Sequence, residues 1–282
     1  QLLDWESMSD DALRWQQIAS RLLTPDVPFA AHELLYRHNY TNFRQQQLPC
    51  PAWVPTGGEV AATHVAEWIS ALGLSNYEEL HAWSATHPEE FANKLAGALS
   101  LRFRTPPARG CDSSAGVEQV RWYPQATMNI VESCFQADHQ ACAIVSGDDE
   151  NHLAFLSYGQ LKALTARVAG GLAKMGVRPG DRVAIWMPMT PEAVAAFLGI
   201  VAAGCSAVTI ADSFSANEMA VRIAITQPKC IFIQDQVFRN GKSHPLFEKI
   251  ASQEELAAIV LRTCDSQPIN LRSGDKYWED FL

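Results

Sequence analysis

Hydrophobic positions change their period along this chain. Over the first hundred residues they recur every three or four positions, the spacing that gathers them on one face of a helix. Leu13, Ile18, Leu22 and Leu23 mark a helix over 10–23. A second is predicted over 59–72, stopped by Gly73, and a third over 76–83, where Tyr77, Leu80 and Trp83 share a face. A fourth, 89–99, follows Pro88, which suits a first helical position. Between the first and second, Leu48-Pro49-Cys50-Pro51 and Val54-Pro55 break regular structure, because proline removes a donor and restricts the residue before it.

After a Pro-, Gly- and Ser-rich stretch over 104–119 the pattern alternates short apolar runs with helical stripes. A helix is expected over 129–137. The runs 141–146 and 153–156, around the turn chemistry of 147–151, predict a hairpin. Ser157 can cap a long helix with Leu161, Leu164, Val168, Leu172 and Met175 in one stripe, ending at Gly176. Strands follow at 182–187, 205–210, 230–234 and 256–262. The first three are separated by helices opening at Thr190-Pro191-Glu192 and at Ser215-Ala216-Asn217-Glu218, the latter a capping-box pattern. Strands joined by single helices make βαβ units. The fold class is therefore α/β: a mainly parallel sheet with flanking helices, preceded by a helical N-terminal extension. The near-continuous apolar run Ala207-Val208-Thr209-Ile210 suggests a central strand with both faces buried. This gives a helical region over 1–103, a linker over 104–121 and an α/β part over 122–282.

Composition narrows the function. The 282 residues are 48% hydrophobic and 19% charged, in the range of globular rather than disordered chains. The net charge of −9 argues against a nucleic-acid partner held by general backbone electrostatics. No apolar run reaches the ~18 residues of a membrane span. Position 1 is Gln and no signal peptide is visible, so a fragment or processed chain is expected. Seven cysteines at wide spacing, with no C-x-x-C, speak against a disulfide framework or zinc site and for a reducing compartment. Cys134, Cys142, Cys205 and Cys230 read as small core hydrophobes.

Familiar catalytic motifs are absent. No G-x-G-x-x-G follows a strand, and there is neither a P-loop nor a G-x-S-x-G elbow. The eight histidines show no ligand spacing and read as surface or capping residues. Gly170-Gly171 sits inside a helical pattern, where close helix packing would explain it. One basic loop stands out, Phe238-Arg239-Asn240-Gly241-Lys242-Ser243, just beyond a strand. Arg239 and Lys242 across a glycine could turn together onto one anion, an Arg fork plus a Lys point charge suiting a phosphate monoester. A solvated surface turn is the competing reading and, on spacing alone, the favoured one.

Several blocks, taken in order, resemble a known family. They are Trp122-Tyr123-Pro124 with Met128-Asn129, Leu156-Ser157-Tyr158-Gly159-Gln160-Leu161, the run 176–185, the run 187–194, and Ser213-Phe214-Ser215 with Arg222-Ile223. Together they are similar to the N-terminal half of AMP-forming acyl-CoA synthetases, in the acetyl-CoA synthetase-like branch. His87-Pro88-Glu89-Glu90-Phe91 also looks like that branch. The long extension and Ile210-Ala211-Asp212-Ser213-Phe214 resemble the plant peroxisomal acyl-activating enzymes. The likeness covers about 85–250.

The resemblance implies an acid–thiol ligase. With ATP and Mg2+ it would activate a small-molecule carboxylate to an acyl-adenylate, then transfer the acyl group to coenzyme A. It implies a peroxisomal or cytoplasmic location without a transmembrane segment or nucleic-acid partner. Arg239 and Lys242 fall where the family sets basic residues near the 3′-phosphate of coenzyme A, which brings that reading level with the solvated turn. Ala211 and Asp212 replace the family's glycine pair. The family's Ser/Thr/Gly-rich phosphate loop ending in Pro-Lys-Gly, and its catalytic Lys, have no counterpart. No catalytic residue or metal ligand is assigned, and the chain alone is expected to be inactive, with a large apolar patch exposed. A non-catalytic coenzyme A- or protein-binding α/β module is the alternative.

Overall fold

A computed structural model describes residues 10–45, 50–147, 152–239, 241–263 and 269–282. It divides into two compact units, 10–88 and 89–282.

The first unit is helical. Helix α1 (Asp11–Arg21) starts where Asp10 accepts hydrogen bonds from the amides of Ala12 and Leu13. It packs on α2 (Phe29–Asn39), and α3 (Thr41–Gln45) follows. The core here is small, with Trp15, Ile18 and Tyr40 buried and Leu35, Tyr36 and Phe43 packed against them. Of the Pro-rich break, residues 48 and 49 lie outside the described residues. The single helix expected over 59–72 is two, α4 (Gly57–Ala61) and α5 (His64–Ala71). Thr63 divides them, because its hydroxyl accepts from the Ala66 amide and so caps a new helix rather than continuing the old one. Helix α6 (Tyr77–Thr86) is capped by Asn76 and runs past the 76–83 that its apolar face predicts.

The second unit opens with α7 (Pro88–Ala98). Residues 104–121, read as a linker, include strand β1 (Cys111–Asp112), which pairs with β2 (Arg121–Trp122). The helix expected over 129–137 is a single turn, α8 (Val131–Cys134), because Phe135 leaves helical geometry. The predicted hairpin forms from β3 (Cys142–Gly147) and β4 (Leu153–Ser157), while residues 148–151 of its turn lie outside the described residues. Ser157 and Gln160 complete a capping box on α9 (Tyr158–Lys174). Then come β5 (Arg182–Trp186), α10 (Pro191–Ala202), β6 (Ser206–Thr209), α11 (Ala216–Thr226), β7 (Cys230–Gln234), β8 (Gln236–Arg239), β9 (Lys242–Pro245), β10 (Ala257–Leu261), β11 (Lys276–Tyr277) and α12 (Trp278–Phe281).

Five strands form a parallel sheet in the order β11-β10-β7-β5-β6. Alternate residues serve opposite cores. Val183, Ile185, Cys230, Phe232 and Ile259 pack beneath α9, α10 and α12. Ala184, Trp186, Ile231, Ile233, Ala258 and Val260 pack with α11 and the turn at 247–250. Two corrections follow. The central strand is β7, with four of its five residues buried, whereas β6 lies at the sheet edge and is only partly covered. Its apolar run signals contact with α10 and β5, not a neighbour on each side. Cys205 and Cys230 are buried, but Cys134 and Cys142 are exposed, since α8 is too short and β3 too peripheral to cover them. Of the glycine pair, only Gly171 is packed. A Cβ there would meet Phe281 at 2.6 Å, while Gly170 faces open space.

Candidate functional site

Parallel strands place all their carboxyl ends on one edge of the sheet, and open α/β sheets take ligands there. At the ends of β5 and β6 lies a groove of about 820 Å3. Its walls are mainly apolar, with Met187 and Ile210 leaving the strands and Phe197 reaching in from α10. The floor is fixed by backbone geometry. The Ile210 amide donates to the Ile185 carbonyl at 2.8 Å, and the indole Nε1 of Trp186 donates to the Ala211 carbonyl at 2.9 Å. The Phe214 amide donates to that same carbonyl at 3.0 Å, closing a turn that leads into the capping box of Ser215 and Glu218 on α11. Backbone and side-chain hydrogen bonds from Ser215 hold the Glu218 carboxyl below its usual range. The charged groups on the groove are Asp212 and Arg222, whose guanidinium stacks 4.1 Å from the centroid of the Phe214 ring.

The basic segment leaves the same edge from β7. It is an antiparallel hairpin rather than an open loop: β8 pairs with β9, and Arg239 lies directly opposite Lys242. Gly241 adopts φ +70°, as a tight hairpin connection requires. Lys242 is exposed, and Asn240 lies outside the described residues. Cross-strand partners of this kind sit about 5 Å apart at Cβ.

The residue that fixes this hairpin is one the sequence reading passed over. Asp235 is buried and ends β7. Its Oδ1 accepts from the amides of Gln236 at 2.7 Å and Thr263 at 3.0 Å. Its carbonyl accepts from Leu246 at 2.9 Å and Phe247 at 3.1 Å, beyond the far end of β9. A second link joins the strands, the Ser243 hydroxyl donating to Gln236 Oε1. The available sequence signal was a carboxylate directly following an apolar strand, which must be satisfied locally if buried. Two of the quoted motif residues, Asn129 and Tyr123, hold backbone in place. Asn129 Nδ2 donates to the Val201 carbonyl at 2.8 Å at the end of α10, and the Tyr123 hydroxyl donates to the Ala92 carbonyl of α7 at 2.7 Å. Among the described residues no group of three His, Cys, Asp or Glu side chains could hold a metal ion, and no helix is long and apolar enough to cross a membrane.

Comparison with known proteins agrees with the topology. The family model described as AMP-binding enzyme matches residues 133–279, just over half of the chain. The acetyl-coenzyme A synthetase N-terminus matches 77–134, and the SAM domain of probable acyl-activating enzyme 17/18 matches 5–41. Among curated relatives, the probable peroxisomal acyl-activating enzyme 18 of Arabidopsis thaliana is 30% identical over 97% of this chain and 40% of its own length. Hexanoyl-CoA synthase of Cannabis sativa is 30% identical over 95% of this chain and 40% of its own. The acetoacetyl-CoA synthetase of Streptomyces lividans superposes with a TM-score of 0.73 at 26% identity, covering 83% of this chain and 38% of that one. The chain thus spans about 40% of the length of the plant relatives it matches.

Proposed function

The chain belongs to the AMP-binding enzyme family, and we propose that it is the opening part of an acid–thiol ligase that joins a carboxylic acid to coenzyme A through an acyl-adenylate. ATP, coenzyme A and a small carboxylate are the reactants of that reading, Mg2+ is the cofactor of the complete enzyme, and the location is peroxisomal or cytoplasmic. The names of the relatives support it: acyl-activating, hexanoyl-CoA and acetoacetyl-CoA enzymes all make thioesters or activate acids. The carrying observation is the cross-strand pair of Arg239 and Lys242, on a hairpin that leaves the same carboxyl edge of the sheet as the groove lined by Ile210, Ala211, Asp212 and Phe214. In this reading the hairpin grips the 3′-phosphate of coenzyme A, while the apolar groove takes an uncharged part of a substrate. Asp212, standing where the family has glycine, narrows the approach between them.

The adenylation step lies outside this chain's own chemistry. The sequence has no Pro-Lys-Gly, and the groove presents one guanidinium and one carboxylate where phosphoryl transfer needs several fixed positive charges. Incubated with ATP and short or medium carboxylates, the 282-residue chain should release no pyrophosphate above background, and sustained release would overturn this part. Calorimetric titration should show coenzyme A binding about tenfold or more tightly than its 3′-dephospho form. The double variant Arg239→Ala, Lys242→Ala should erase that preference. Equal affinity of the unaltered chain for both forms would reject the assignment.

A further inference from the structure

A second cleft of about 320 Å3 lies at the other end of α10 from the groove. The groove touches α10 from Ala193 to Leu198, and the cleft touches it at Ala202. Three cations from separate parts of the chain converge there: Arg102 and Arg104 from the segment after α7, and Lys162 from the first turns of α9. In a chain of net charge −9 this concentration is unusual. Glu132 is the single acid on the cleft, leaving a local charge of +2.

The cations are not equally committed. Arg104 donates to Glu132 through Nε and Nη2, with Nε at 3.0 Å. The hydrogen bond from Arg104, followed by the charges of Arg104 and Arg102, holds the Glu132 carboxyl below its usual range. The side chains of Arg102 and Lys162 make no hydrogen bond or ion pair among the described residues, and both are exposed. The backbone beneath Arg102 is fixed, because its amide donates to the Ser133 hydroxyl at 2.9 Å. Val131, Phe135 and Ala202 supply apolar wall. Asn129 caps the carbonyls of Val201 and Ala202, so the negative end of α10 does not face the cleft uncovered.

We infer that this cleft binds a phosphate monoester carried on a small apolar body. A monoester holds about −1.5 to −2 charges at neutral pH, matching the surplus of two, and a carboxylate would leave one cation unanswered. An Arg fork with a Lys point charge suits tetrahedral oxyanions, while Phe135 and Val131 receive the apolar part. The inference does not depend on the reading of the hairpin, which lies on other elements.

Phenyl phosphate, titrated into the unaltered chain and followed by calorimetry, should bind saturably at millimolar or lower concentration, and benzoate at least about tenfold more weakly. Arg102→Ala with Lys162→Ala should weaken phenyl phosphate about tenfold or more, and should do so equally when Arg239 and Lys242 are also replaced by Ala. The exposed side chains of Arg102 and Lys162 can be replaced without a folding penalty, and the far-ultraviolet circular dichroism of each variant checks this. No saturable binding up to about 10 mM overturns the proposal. So does binding that responds to the hairpin variant instead, or benzoate binding as tightly as phenyl phosphate.

Discussion

The two units place their aromatic residues differently. In the helical unit Trp15, Tyr36, Tyr40 and Phe43 form an edge-to-face chain with centroids 5.0 to 6.4 Å apart. Polar tips tie that cluster to irregular backbone: Trp15 Nε1 donates to the Ala52 carbonyl at 2.7 Å, and the Tyr36 hydroxyl to Cys50. In the α/β unit Phe232 of the sheet meets Trp278 and Phe281 of α12 as part of a core spread over six elements. The first arrangement organises a segment through local caps and side-chain hydrogen bonds. The second lets the regular spacing of β-strands set every position. A small helical unit therefore leans on a few residues, and a two-faced sheet on many.

The sharpest test of that contrast is Phe232→Ala. Fully buried at the middle of the sheet, its loss should cost about 3–5 kcal/mol. Hydrogen exchange should accelerate in 182–186 and 230–234 and stay unchanged in 11–39. Equal acceleration in both would break the distinction. A smaller effect is expected at Gly199, where a Cβ would stand 2.4 Å from Val168 Cγ1 and 3.1 Å from the Thr165 carbonyl. Val168 is β-branched and buried, so it cannot turn aside. Gly199→Ala should destabilise by about 1–3 kcal/mol from overpacking, partly offset by about 1 kcal/mol of helix propensity, and chemical denaturation would measure the balance.

The smallest effect at neutral pH belongs to Tyr40→Phe. The Tyr40 hydroxyl is buried without a hydrogen-bond partner, and burial first, then the charges of Tyr36, Cys50 and Asp11, pushes its pKa to about 12. A folded pKa above the ordinary 10 means that the contribution is intact below pH 10 and lost as pH rises through about 12. The variant should match the parent at pH 7 and lose less stability between those values, as seen in exchange of 11–39. An identical alkaline loss in both would place the titrating group elsewhere.

Much of the α/β unit was legible because its signals are local and redundant. Thr190-Pro191-Glu192 and Ser215-Ala216-Asn217-Glu218 both start helices where expected, each through a side-chain cap. Position within the sheet was not legible. Ala207 and Val208 are as apolar as Ile231 and Phe232, yet edge and centre are decided by which neighbours pair, a long-range matter. For the candidate site, Arg239 and Lys242 were found by charge and spacing, but their hairpin register needed the fold. Asp235 escaped because a lone carboxylate in sequence does not show which amides it will collect. The cleft at Arg102, Arg104 and Lys162 escaped for a related reason, since its members are up to sixty positions apart and meet only when α8 and α9 both pack on α10.

The Asp235 carbonyl, by taking both Leu246 and Phe247, draws residues 236–245 into a loop whose neck is already shut. Because the cost of closing a loop grows only slowly with its length, changes outside that neck barely register on the strands it springs from. The hairpin is thus an exchangeable cassette: its tip can be lengthened, shortened or recharged while β7 and β10 keep their places.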